Sequence, residues 1–107
     1  MKGAQAEAYN EDEIIPLSKY LTFELGSEAY GIDIRFVREI IGMQTITLVP
    51  DVPHYVKGVI NLRGKVIPIM DVRDRFNLEP RAYDDRTCII VIKVGDWTVG
   101  LVVDTVS

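Results

Sequence analysis

The chain has 107 residues, nearly half of them hydrophobic, a formal net charge of −4 and one cysteine. That length allows one ordinary domain or two very small, mutually dependent lobes. The negative balance and the absence of Lys/Arg blocks exclude a phosphate-following surface and so a nucleic-acid partner; no run reaches the roughly 18 apolar residues that span a bilayer; and one cysteine excludes an internal disulfide.

Residues 1–17 are polar and acidic until Ile14-Ile15-Pro16, and predict a flexible acidic tail. Its plain role is a solubilising leader; binding a basic partner is the alternative. The start carries no apolar signal segment, so cytoplasmic residence is the default expectation. Order is expected from about residue 18. Leu21, Phe23 and Leu25 alternate with Tyr20, Thr22 and Glu24, which is strand periodicity. Gly26-Ser27 supplies a turn, and Tyr30, Ile32 and Ile34 alternate again, giving a hairpin. Asp33 can cap a brief helical turn, with a strand following through Ile40 and Ile41.

Thr47 to His54 contains two prolines, each forcing its predecessor out of the helical region, and reads as a crossing between a first lobe (about 18–50) and a second (mainly 51–107). Next comes Val59-Ile60-Asn61-Leu62-Arg63-Gly64-Lys65-Val66-Ile67-Pro68: two strands about a tight turn that raises Arg63 beside Gly64. Pro68 cannot donate to a ladder, so its strand is expected at an edge or bent there. Asp71 can cap a short helix over Val72 to Phe76, and Asn77 to Asp85 form a polar loop. Thr87 to Val94 is almost continuously β-branched, Gly95-Asp96 turns, and Trp97 to Val103 returns. Apolarity on both faces requires that both be covered, or that one await a partner. Short strands at even spacing and no long helices predict an all-β fold of small barrels. The chain stops directly after a strong strand, which predicts a fragment or truncated form with self-association through exposed strand edges.

Catalytic signals are sparse. His54, the single histidine, lies between Pro53 and Tyr55 in the crossing segment and reads as a hydrogen-bonding loop residue. Cys88 opens an apolar strand and reads as a buried, inert thiol. No spacing suggests a metal site, a phosphate loop or a dinucleotide fingerprint, so neither cofactor nor metal is expected. Arg63 reads equally as a solvated turn residue or as a docking guanidinium on a rigid hairpin. Glu39 is a weaker candidate, with a surface salt bridge as its plain alternative. Val37, Ile41, Val59 and Leu62 are core candidates singly and a docking surface as a group.

At Tyr30-Gly31-Ile32-Asp33-Ile34, Val37-Arg38-Glu39-Ile40, Val56 to Gly64, Val66 to Asp71 and Val99 to Ser107 the sequence closely resembles the CheW family, adaptors of bacterial chemotaxis. The resemblance implies a CheW-like domain over 18–107: two small SH3-like five-stranded barrels side by side, incomplete at the C-terminal end. It implies a non-enzymatic scaffold, without cofactor, that links the regulatory domain of the CheA histidine kinase to the cytoplasmic tip of methyl-accepting chemoreceptors. By position, Arg63 and Glu39 match family residues implicated in these contacts, and Val37 and Ile41 lie where the family builds apolar binding surface. The alternative is a fragment of the CheW-like regulatory domain of a larger chemotaxis kinase or receiver fusion protein.

Overall fold

The computed structural model describes residues 19–107; the tail expected over residues 1–17 lies outside the described residues. Strands β1 (Tyr20–Leu25) and β2 (Glu28–Asp33) form the first hairpin about Gly26-Ser27. A 3-10 turn, Ile34–Phe36, follows, and the Asp33 carboxylate caps it by accepting from the Arg35 N–H at 2.9 Å. The chain then extends into β3 (Val37–Gly42), so the expected brief helical turn followed by a strand is observed. Strands β4 (Val56–Leu62) and β5 (Lys65–Asp71) flank the turn at Arg63-Gly64. Asp71 caps the single-turn helix α1 (Val72–Arg75), and β6 (Cys88–Val94) and β7 (Trp97–Val103) fold about Gly95-Asp96. A two-residue β8 (Thr105–Val106) completes the set.

The strands make two sheets, one of three strands in the order β2-β1-β8 and one of five in the order β3-β6-β7-β5-β4. All pairs are antiparallel except β5 with β7, which run parallel. A cut near residue 50 does not follow this division: β3 joins the five-stranded sheet, and β8 returns to β1.

The continuous apolarity of β6 and β7 has a direct cause. Ile89, Val91 and Val102 point to one side and pack with Ile60, Ile67 and Ile69 from β4 and β5. Ile90, Ile92, Leu101 and Val103 point to the other and pack with Phe23 and Leu25 of the three-stranded sheet and with Val72. Both faces are therefore dry, and alternation disappears from the sequence because neither face meets water. The first face is covered by the five-stranded sheet curling on itself. Ile41, Met43 and Ile46, at the β3 end, close over the same cluster as Leu62, at the β4 end.

Pro68 corrects the expectation of an edge strand, because β5 lies inside the sheet between β7 and β4. Its opposite residue, Val59, uses both backbone groups on Thr47 outside β4, at 2.8 and 2.9 Å, and asks nothing of β5. On the other side the ladder to β7 begins only at Ile69. The missing N–H therefore falls where no partner calls for it. The Thr47 segment lies so close to β4 that Gly58, at φ 145°, has no room for a side chain: a Cβ there would overlap the Thr47 carbonyl and lie 2.8 Å from Ile46 Cγ2.

The two sheets are fastened by Asp104, between β7 and β8. Its carboxylate accepts from Arg73 Nε of α1 at 2.9 Å, from Arg81 of the following loop at 2.9 Å, and from the Gly26 N–H of the β1–β2 turn at 2.6 Å. The Asp104 and Arg73 side chains are only 10% and 14% exposed. The Arg73 hydrogen bonds hold the Asp104 carboxyl below its ordinary value of 3.8. A depressed folded-state pKa contributes stability that is present above the unfolded value and lost as pH falls through the folded one. Asp104→Asn is expected to lower unfolding stability at neutral pH by about 3 kcal/mol, the cost of breaking a largely buried pair. In urea titrations the gap between the two forms should begin to narrow below about pH 4, where the unfolded-state carboxylate protonates, and go on closing as pH falls through the lower folded-state pKa of Asp104.

Candidate functional site

The site begins with a turn that breaks a local rule. Arg63 and Gly64 have φ of 52° and 83°, and two positive values in a two-residue loop define the turn whose twist matches the flanking strands. Glycine accepts this backbone freely, whereas a side chain with a Cβ is strained there by about 1–2 kcal/mol. Asn61 supports the loop, its Oδ1 accepting from the Gly64 N–H at 2.9 Å. The Arg63 side chain is 68% exposed and projects from this fixed base, so burial does not explain an arginine at the position.

The curl of the sheet gives that side chain its partner. β3 and β4 lie at opposite ends of the five-strand order, yet Arg63 Nη2 donates to Glu39 Oε2 of β3 in a direct ion pair. The pair spans the mouth of the curled sheet. Beneath it is an open groove of about 370 Å³, lined by Arg38, Glu39, Leu62, Arg63, Lys65, Ile67, Val91, Lys93 and Thr98. Leu62, Ile67 and Val91 supply apolar surface; Arg38, Arg63, Lys65 and Lys93 supply four cationic groups against one carboxylate. Lys65 Nζ donates to Thr98 Oγ1 at 3.3 Å. Such a surface offers fixed guanidinium donors and apolar contact, the means of gripping acidic or amide groups on a partner.

Three of the residues expected to bind partners, Arg63, Glu39 and Leu62, thus meet at one groove, and Ile41 packs on the same apolar cluster as Leu62. Val37 and Val59 lie elsewhere. The pairing of β3 with β6 slips by one residue between Val37 and Glu39, so Arg38 is the extra residue of a bulge. Glu39 and Ile41 consequently face the inside of the curl, while Val37 packs on the opposite side with Phe23 and Ile92. Val59 is adjacent to buried Ile60 and so points to the other face of β4.

Some features had only faint sequence signals. Trp97 is 76% exposed and pairs directly with exposed Val94. By alternation from buried Ile67, exposed Val66 of the neighbouring β5 turns to the same face. This apolar row lies on the outer face of the sheet, and only the placing of aromatics at a turn hinted at it. The Tyr83 hydroxyl donates to Asp71 Oδ2 at 2.6 Å; burial first, then this hydrogen bond, pushes the phenol pKa upward. Burial likewise raises the Cys88 thiol, making it a poor nucleophile. His54 Nε2 lies 3.2 Å from the Asp74 carbonyl oxygen. Among the described residues no group of His, Cys, Asp and Glu side chains is placed to hold a metal ion, and no helix is long and apolar enough to cross a membrane.

The CheW-like domain family matches residues 19–107. The chain is 46% identical over 89 residues to the chemotaxis protein CheW of Klebsiella aerogenes, covering 83% of this chain and 54% of that protein. It is 41% identical over 92 residues to the Bacillus subtilis chemotaxis protein CheW, covering 86% and 59%, and 34% identical over 106 residues to that of Helicobacter pylori, covering 99% and 64%. The chain therefore spans a little more than half the length of these curated relatives. Among solved structures it resembles the scaffolding protein TtCheW from Thermoanaerobacter tengcongensis, with a TM-score of 0.79 and 38% identity over 83% of this chain and 61% of that one.

The turn geometry makes a stability prediction. Asparagine tolerates the left-handed backbone better than arginine, and an exposed ion pair contributes only about 0–1 kcal/mol. Arg63→Asn is therefore expected to leave the unfolding free energy within about 1 kcal/mol of wild type, read by chemical denaturation. A larger loss would mean that the fold itself requires the guanidinium.

Proposed function

We propose that this chain, which belongs to the CheW family, is a non-enzymatic scaffold that couples chemoreceptors to the CheA histidine kinase in bacterial chemotaxis. One observation carries the reading. A strained turn position holds an exposed arginine in an ion pair with Glu39 above an open groove, in a place where folding alone would favour asparagine or glycine. Strain retained without a folding benefit is the mark of a binding residue.

In this reading Arg63 and Glu39 form the charged centre of the contact, and Leu62 and Ile41 its apolar support. The groove receives the cytoplasmic tip of a methyl-accepting chemoreceptor, whose acidic or amide groups exchange hydrogen bonds with the guanidinium. The regulatory domain of the kinase pairs with an apolar face, and the Trp97, Val94 and Val66 row, together with Val59, supplies one on the outer side of the five-stranded sheet. Val37 acts from behind, by fixing where the β3 bulge aims Glu39. The two sheets correspond to two SH3-like lobes, the protein works in the cytoplasm without a cofactor, and the outer edges of β2 and β3 provide routes to self-association. The phosphoryl chemistry belongs to the kinase; this chain contributes geometry.

The test uses Arg63→Asn, chosen because the fold should tolerate it. In pull-downs with a receptor tip fragment and the kinase regulatory domain, receptor capture should fall about tenfold or more, the loss of one or two charge-assisted hydrogen bonds. Kinase capture should change less, because the apolar face is intact. In a reconstituted receptor array kinase activation should fall with receptor capture. Unchanged capture and unchanged activation would remove Arg63 from the contact.

A further inference from the structure

We propose that Lys65, Thr98 and Lys93 form a carboxylate-binding station in the groove, which takes a glutamate side chain of a docking protein beside the group that meets Arg63. The sheet itself assembles the three. β6, β7 and β5 are neighbours in the five-strand order. Lys93 lies directly opposite Thr98 in the β6–β7 pair, and from the other side Lys65 Nζ of β5 donates to Thr98 Oγ1 at 3.3 Å. Alternation puts all three on the inner face of the curl. Lys93 comes two residues after buried Val91, and Lys65 two before buried Ile67. Thr98 comes two before Gly100, where a Cβ would overlap Ile69 and Ile89 of the same inner cluster.

Folding does not account for this set. Two ammonium groups flank one hydroxyl, and among the described residues neither has a carboxylate partner. Like charges held on adjacent strands repel each other. The chain has 16 acidic residues against 12 Lys and Arg, so carboxylates are not scarce, and Asp104 alone engages both Arg73 and Arg81. Cations concentrated at one groove of an acidic chain, and left uncompensated there, are suited to an anion from outside.

The donors say which anion. Thr98 accepts from Lys65, so its own O–H is left to donate, and the two ammonium groups only donate. An ionised carboxylate only accepts, which matches. Glu39 across the groove opposes a doubly charged phosphate more than a singly charged carboxylate, and Ile67 and Val91 offer apolar contact to the methylene groups of a glutamate. Arg63 already holds Glu39, whereas the lysines can receive an acid without breaking an ion pair. That the docking protein is a receptor tip rests on the proposed function; the station itself does not.

The test titrates the ¹⁵N-labelled chain with N-acetylated, C-amidated tetraglutamate at 0.15 M sodium chloride, where charges more than about 8 Å away are largely screened. The amides of Lys65, Lys93 and Thr98 should shift, and tetraglutamine should leave them in place. Lys65→Gln and Lys93→Gln should each weaken binding about two- to fivefold. Thr98→Val, which keeps every charge, should do the same by removing a donor. Arg86→Gln removes one charge beyond the opposite end of β6 and should change the affinity by less than about 1.5-fold. The proposal is overturned by shifts confined to other regions, by lysine variants that behave like Arg86→Gln, or by a Thr98→Val variant that binds as wild type. Tighter binding of inorganic phosphate than of tetraglutamate at these residues would also overturn it. The titration contains neither receptor nor kinase, so a failed station is told apart from a failed scaffold reading, which the pull-downs with Arg63→Asn decide.

Discussion

The structure depends on two adjacent strands that must be dry on both faces. Among the largest fully buried side chains, Ile89, Ile90 and Val103 come from β6 and β7 and point to opposite sides. Each is worth about 1.5–3 kcal/mol only when its own face is covered. A flat five-stranded sheet against a three-stranded one covers one face and leaves the other in water. The second cover comes from curling: the β4–β5 hairpin and the segment after β3 bend over Ile89, Val91 and Val102. Gly58 is part of that solution, because only a residue without a Cβ lets Thr47 approach β4 as closely as the curl requires. The groove follows from the same bend, since a curled sheet has a mouth and the residues at its rim are brought together whatever their distance along the chain.

Arg63 and Glu39 occupy that rim, 24 residues apart in sequence. Neither is needed to bury apolar area. The pair is exposed enough that water screens it, and the turn under Arg63 is strained. A fold selected for stability alone would place asparagine before Gly64. Arginine there gives a donor fork whose base is fixed by a rigid two-residue loop and whose tip is oriented by one carboxylate. Little conformational entropy then remains to be lost when a partner docks.

The local parts of this architecture were legible in the sequence, and the non-local parts were not. Alternation and the pairs Gly26-Ser27, Arg63-Gly64 and Gly95-Asp96 mark three hairpins, each closed by two residues as expected. Asp33 and Asp71 cap the short turns they precede. Three features escape local reading. The parallel β5–β7 contact puts Pro68 inside a sheet, and it is tolerated because Val59 turns its backbone toward Thr47. The β3 bulge separates Val37 from Ile41, since one extra residue reverses which face every later side chain takes. Asp104 collects Arg73, Arg81 and the Gly26 amide from three distant segments, a convergence with no periodicity to reveal it. The candidate site was half visible for the same reason: Arg63 stands out at its turn, while the groove exists only after long-range pairing.

The placement of charge divides the molecule's tasks. β5 runs from Lys65, beside the Arg63 turn, to Asp71, where α1 begins. Its seven residues separate the two ends by roughly 20 Å, about two Debye lengths at moderate salt. At one end Asp104 and Arg73 are nearly buried and paired through several hydrogen bonds, so their charges are spent on joining the two sheets. At the other end Arg38, Arg63 and Lys65 are exposed and Lys93 is partly so, and, Arg63 apart, they have no carboxylate partner among the described residues. Charges committed to the fold are thus kept away from charges available for recognition. A partner that draws Arg63 away from Glu39 disturbs a pair worth little to stability, while the remote lock keeps the sheets in register. In the proposed scaffold, that separation lets partners exchange at the rim without loosening the core.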